Sequence, residues 1–221
     1  MRNQIVERIA ASRIIVIVRG LAGEKIVALA EALCEGGIEL MEVTFDQSRP
    51  ESRQDTVDVI RALAANMGDR MSVGAGTVTS VELVETAHRA GAKYIVSPDF
   101  RPEVVFRTRE LDMVSLPGAL TPTEIGRAYD QGADFVKVFP AAELGPGYIR
   151  AIRAPLNHIP LLAVGGVDER NARDFIEAGC AGIGVGGNLV NRAWIQAGEW
   201  GKITGLARRF VEAVRQGGAA R

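Results

Sequence analysis

Histidine and cysteine are both scarce in this chain, with two of each. His88 falls in a predicted helix and His158 in a loop beside Pro160, without any HxH, HExxH or Cys/His cluster. A histidine-ligated metal centre is therefore not expected, nor is any cofactor. Cys34 and Cys180 lie far apart without CxxC spacing and read as small buried thiols, not as a disulfide or a nucleophile. Aromatic residues make up only 5% of the chain, which argues against base-stacking platforms. A formal net charge of −1 supplies no basic surface for nucleic acid or an anionic membrane. No apolar run approaches the roughly 20 residues of a membrane span. The stretch from Met1 to Ala10 is polar and has no signal-peptide core. A cytoplasmic protein is the expectation.

What the chain does have is a regular alternation. Hydrophobic residues are 47% and charged residues 24% of 221, enough to bury a large core. After a short N-terminal helix, eight strand-like runs follow: Arg13–Val18, Ile38–Phe45, Met71–Gly74, Tyr94–Ser97, Asp112–Ser115, Asp134–Phe139, Leu161–Val164 and Gly182–Val185. Between them, apolar residues recur at helical spacing, as in Ile26, Leu29, Ala30, Leu33 and in Val57, Ile60, Leu63, Ala64. Glycines close several helices, at Gly36-Gly37, Gly91, Gly132 and Gly179. Thr79 and Thr121 stand three residues ahead of an acid and read as helix caps. Glu199–Arg221 reads as a final amphipathic helix with a frayed tail.

Such βα repeats predict a single α/β domain over residues 1–221, a closed (β/α)₈ TIM barrel, with a doubly wound open sheet as the runner-up. Gly182-Ile183-Gly184-Val185-Gly186-Gly187 matches GxGxxG by letter. It falls in and after the last strand, with no βα unit beyond it, so a dinucleotide fingerprint is rejected.

Two strands carry a charge where a barrel would bury it: Lys137 in Phe135-Val136-Lys137-Val138-Phe139, and Glu42 in Leu40-Met41-Glu42-Val43-Thr44. A lone buried charge is costly. Lys137 either snorkels outward or serves a function, and the two groups together are either a structural ion pair or a nucleophile with its acid/base. A nucleophilic lysine must be neutral, so its pKa must fall from about 10.4 toward 7 or 8. Desolvation among Phe135, Val138 and Phe139 would act in that direction, as would Arg19 nearby. Addition to a carbonyl then gives an iminium able to accept the electrons of a breaking carbon–carbon bond, with Glu42 moving protons. Other polar residues at strand C-termini are Thr77 and Ser97-Pro98, with glycine loops at Gly165-Gly166 and Gly186-Gly187-Asn188. Glycine loops after the last two strands either bind phosphate through backbone N–H groups or simply turn tightly.

The motifs Leu40-Met41-Glu42-Val43-Thr44, Val73-Gly74-Ala75-Gly76-Thr77-Val78, Ile95-Val96-Ser97-Pro98, Leu116-Pro117-Gly118, Phe135–Ala141 and Gly165-Gly166-Val167 closely resemble the bacterial 2-keto-3-deoxy-6-phosphogluconate / 4-hydroxy-2-oxoglutarate aldolase family. The resemblance runs in order from about Ile15 to Val190. It implies a metal-independent class I aldolase on a (β/α)₈ barrel, commonly a homotrimer, acting on a small 2-keto acid. By the same likeness Lys137 would be the Schiff-base lysine and Glu42 the acid/base. Arg19 and Thr77 would hold the pyruvyl carboxylate, Pro98 and Phe139 would shape the pocket, and Gly165, Gly166 and Gly187 would face a phosphate. Two positions depart from the common pattern: Asp46 stands where many members have arginine, and Asn188 where many have serine. Arg19 or Arg49 is expected to compensate for the first, and the Asn188 amide for the second. The expected substrate is 2-dehydro-3-deoxy-6-phosphogluconate, with 4-hydroxy-2-oxoglutarate as a second one and the phosphogalactonate epimer as the close alternative. A non-covalent isomerase or decarboxylase, or an idle sugar-acid phosphate binder, is the rival outside this chemistry.

Overall fold

The computed structural model describes residues 1–21 and 23–218. Nine short parallel strands form one sheet: β1 (Ile14–Val18), β2 (Leu40–Thr44), β3 (Ser72–Gly76), β4 (Tyr94–Val96), β5 (Val114–Leu116), β6 (Gly118–Ala119), β7 (Val136–Val138), β8 (Leu161–Val164) and β9 (Gly182–Val185). Their order, β5-β4-β3-β2-β1-β9-β8-β7-β6, begins and ends on one stretch of chain. β5 pairs with β4, and β6 pairs with β7. The Pro117 carbonyl between them accepts from the Lys137 N–H at 2.9 Å. The fifth predicted strand, Asp112–Ser115, is thus real but lies at Val114–Leu116, and Pro117, which has no N–H to give to a ladder, separates it from the further pairing at Gly118–Ala119. With that stretch counted once, eight strands close the expected barrel.

Among the described residues ten α-helices surround or cap it, including α1 (Arg2–Ser12), α2 (Glu24–Glu35), α7 (Ala141–Arg153), α9 (Arg192–Ala197) and α10 (Trp200–Gly218). Strand alternation divides the core in two. Outward residues such as Val16, Met41, Ala75, Val136 and Val138 pack under the helices. Inward residues, including Ile15, Leu40, Tyr94, Leu116, Phe135 and Leu162, fill the barrel together with Ile5 and Ile9 of α1. The N-terminal helix therefore stops the lower end of the barrel, leaving the C-terminal end open.

Local chemistry matches most of the sequence reading. Gly37, Gly91, Gly132 and Gly179 all have positive φ at helix ends. Thr121 forms a complete capping box with Glu124. The other cap is Ser80, not Thr79, since the Ser80 hydroxyl accepts from the Leu83 N–H at 3.3 Å. Ile203, Leu206, Phe210 and Val214 are buried along α10, while the tail beyond Gly218 lies outside the described residues. Cys180 is buried, but Cys34 is only half-buried and has its thiol pKa raised, chiefly by desolvation. Among the described residues no helix is long and apolar enough to cross a membrane.

Candidate active site

Lys137 is the central residue of β7, directly opposite Gly118 on one side and Leu162 on the other. It points inward and retains 8% exposure, so its amine reaches the barrel mouth instead of snorkelling outside. The Phe139 ring stands over it, with Nζ 4.8 Å from the centroid. One edge of that ring packs on Gly165, where an added Cβ would come within 3.0 Å. Val138 does not share this environment. Its side chain is in the outer core, as period two requires, and Ile17 and Val164 provide apolar lining instead. Phe139 itself is 41% exposed and forms a lip, so it shields the amine from one direction only.

Glu42, on β2, is 3% exposed and faces the same space. Gly74 and Gly76 of β3 make room for this arrangement. A Cβ on Gly76 would lie 1.8 Å from Glu42 Oε1, and one on Gly74 would lie 2.1 Å from the Tyr94 ring. Both glycines therefore answer a packing demand inside the barrel.

Burial moves the two groups in opposite directions. Desolvation lowers the Lys137 pKa, the Glu42 charge opposes this, and Arg19 adds to it. Desolvation raises the Glu42 pKa, with Lys137 and Arg19 acting the other way. No direct ion pair joins the two side chains, so neither charge is fully compensated. Desolvation thus shifts each group toward its neutral form, the amine by losing a proton and the carboxyl by holding one.

A cavity of about 640 Å³ is lined by Lys137 and Glu42 together with Arg19, Thr77, Pro98, Phe139, Gly165, Gly166, Gly187 and Asn188. Residues from seven strands or the loops after them thus converge, as sequence order alone could only suggest. Size does not distinguish this cavity, because a cleft of about 660 Å³ lies at the opposite end around Arg2, Arg13 and Asp134. The pair of buried, oppositely shifted groups does. Thr77 follows β3 with φ 57, an uncommon backbone for a β-branched residue. Its carbonyl accepts from Gln47 Nε2 at 2.9 Å, which helps hold that conformation.

One expectation needs correction. Arg49 does not line the cavity; its Nε donates to Asp46 at 2.9 Å. Asp46 also accepts from Ser48, and these bonds bring its pKa down to about 2. The Asp46–Arg49 turn satisfies itself and leaves Arg19 as the nearer guanidinium. Asn188 uses its amide to donate to the Val167 carbonyl at 2.8 Å, so it latches the two glycine loops together. Sequence reading missed Arg192, which lines the cavity from the first turn of α9 and carries no motif to announce it. Among the described residues, no group of three or more His, Cys, Asp or Glu side chains could hold a metal ion.

The family model described as KDPG and KHG aldolase matches residues 5–206. The chain is 35% identical over 205 residues to a 2-dehydro-3-deoxy-6-phosphogalactonate aldolase of Escherichia coli K12, covering 92% of this chain and 95% of that one. It is 30% identical over 215 residues to a 2-dehydro-3-deoxy-phosphogluconate aldolase of Haemophilus influenzae, covering 96% and 98%. Among solved structures, KDPG aldolase from Legionella pneumophila, with pyruvate captured as a covalent carbinolamine, superposes with TM-score 0.81 at 26% identity, over 92% and 96% of the two chains.

Proposed function

Because this chain belongs to the KDPG and KHG aldolase family of class I aldolases, we propose that it cleaves a 2-keto-3-deoxy-6-phospho sugar acid through a Schiff base on Lys137. The observation that carries this reading is a buried lysine and a buried glutamate facing one cavity, each shifted toward its neutral form.

The neutral Lys137 amine adds to the C2 carbonyl to give a carbinolamine, and loss of water leaves an iminium. Glu42 as carboxylate takes the proton of the C4 hydroxyl, directly or through one water. The C3–C4 electron pair moves into the iminium, so an enamine forms and an aldehyde leaves. Glu42 returns the proton to C3. Water then hydrolyses the iminium, releasing pyruvate and restoring the amine, so the water lost earlier is regained. No metal enters these steps.

Arg19 and Thr77 are assigned to the carboxylate, Pro98 and Phe139 to the pocket wall, and the amides of Gly165, Gly166 and Gly187 to the phosphate. Asn188 belongs to the same end as the latch between the glycine loops. The phosphogluconate acid is the first proposed substrate, yielding pyruvate and glyceraldehyde 3-phosphate, and 4-hydroxy-2-oxoglutarate the second. The phosphogalactonate epimer is a second reading, favoured by the 35% relative of that name. A homotrimer completes the proposal. The deciding assay compares kcat/KM for the two epimers and 4-hydroxy-2-oxoglutarate. A preference for either phosphorylated epimer supports the reading, and no cleavage of any of the three would overturn it.

A further inference from the structure

The proposed substrate carries two anionic groups, a carboxylate and a phosphoryl group. Of the four charged side chains lining the cavity, Lys137 and Glu42 are engaged in bond making and breaking. Two guanidiniums remain, Arg19 and Arg192. Arg192 is the first residue of α9, and it reaches the cavity beside the loop that contains Gly186 and Gly187.

Its orientation is fixed by the fold. Arg192 Nη2 donates to the Arg19 carbonyl at 3.1 Å. The same nitrogen lies 3.6 Å from where a Cβ on Gly20 would be, and Gly20 has φ +60. Among the described residues Arg192 makes no ion pair. A guanidinium has five N–H donors, so one bond to a carbonyl orients the plane and leaves the others for an anion. Asn188, the side chain expected to donate at this end, commits one of its two amide N–H groups to Val167. Gly165 and Gly166 both have positive φ, and a Cβ on Gly187 would meet open space, so a ligand can approach these amides closely.

We infer that Arg192 is a specificity residue for the phosphoryl group. Held by the Arg19 carbonyl, its guanidinium closes the phosphate end that the glycine amides begin, and so selects phosphorylated over unphosphorylated 2-keto-3-deoxy sugar acids. Arginine suits this position because its fork matches phosphate oxygens two at a time and it is weakly hydrated. The inference rests on the aldolase reading above.

The test measures kcat and KM for wild type, Arg192→Gln and Arg192→Lys. The substrates are a 2-keto-3-deoxy-6-phospho sugar acid and its unphosphorylated counterpart, and inorganic phosphate is titrated calorimetrically in parallel. Arg192→Gln is expected to lower the preference for the phosphorylated substrate about tenfold or more, mainly through KM, and to weaken phosphate binding. Arg192→Lys should recover part of both, as a point charge without the fork. Equal losses on both substrates would assign Arg192 to holding the Arg19 loop and overturn the inference. Phosphate binding as tight in Arg192→Gln as in wild type would do the same. Failure of the aldolase reading has another signature: wild type would form no borohydride-trapped adduct with pyruvate, whatever phosphate does.

Discussion

A lysine and a glutamate inside one barrel carry a cost that depends on pH. The folded-state pKa of Lys137 is lowered, so between it and the ordinary value of 10.5 the unfolded chain binds more protons. Burial of Lys137 therefore costs stability at pH values below the lowered pKa, and the cost fades as pH rises toward 10.5. For Glu42 the sign reverses. Its cost is absent below the ordinary 4.5, grows as pH rises and is complete above its raised pKa. The kinetic counterpart is direct. Adduct formation with pyruvate should fall as pH drops through the lowered Lys137 pKa, with a midpoint clearly below 10.5 in a stopped pH-rate series. A midpoint at the ordinary lysine value would remove the role given to burial. Glu42→Gln should fold and still form the adduct, yet turn over about a hundredfold or more slowly. Near-normal turnover would return Glu42 to a structural role. Tyr94 is the neighbouring oddity: its hydroxyl is fully buried without a hydrogen-bond partner among the described residues, and its pKa is raised by desolvation and by Glu42. Tyr94→Phe should leave thermal stability equal or higher by a few degrees, roughly 1 kcal/mol. A drop in Tm would mean that the hydroxyl is satisfied in solution.

At the level of elements, the site depends on strands that do not react. β3 supplies two glycines so that Glu42 and Tyr94 can occupy the barrel interior. Gly76→Ala should mimic Glu42→Gln, with slow turnover and intact adduct formation, because the new Cβ would displace the Glu42 carboxylate. Normal turnover would show that β3 can yield without moving it. α1 acts from the other end. Ile9 is 1% exposed and packs among the interior residues, so Ile9→Ala should cost about 2 to 4 kcal/mol while leaving the Lys137 adduct chemistry in place. Loss of adduct formation at a temperature where that variant is folded would tie α1 to the site. Elements of this kind were readable from periodicity, turn glycines and caps. The break at Pro117 was not read, because whether a proline ends a strand or interrupts it depends on the partners that its two halves find. The outward turn of Val138 was readable from period two alone, yet proximity in sequence had placed it beside the amine.

For the whole molecule, βα alternation foretold the closed barrel, and the barrel brought ten widely separated predicted residues to one cavity. Arg192 and the self-contained Asp46–Arg49 turn were not legible, since each depends on where an exposed side chain finds its partner. A trimeric assembly is expected to show as a solution mass of about three times the 23.6 kDa chain by light scattering, and a monomer would refute it. The most direct test of the central claim uses the small number of lysines, only Lys25, Lys93, Lys137 and Lys202. The protein is incubated with pyruvate and borohydride, weighed intact and mapped by peptide mass spectrometry. The account predicts one reduced pyruvate adduct per chain, located on Lys137 and absent from Lys137→Ala. No adduct, or one on any of the other three lysines, would contradict it.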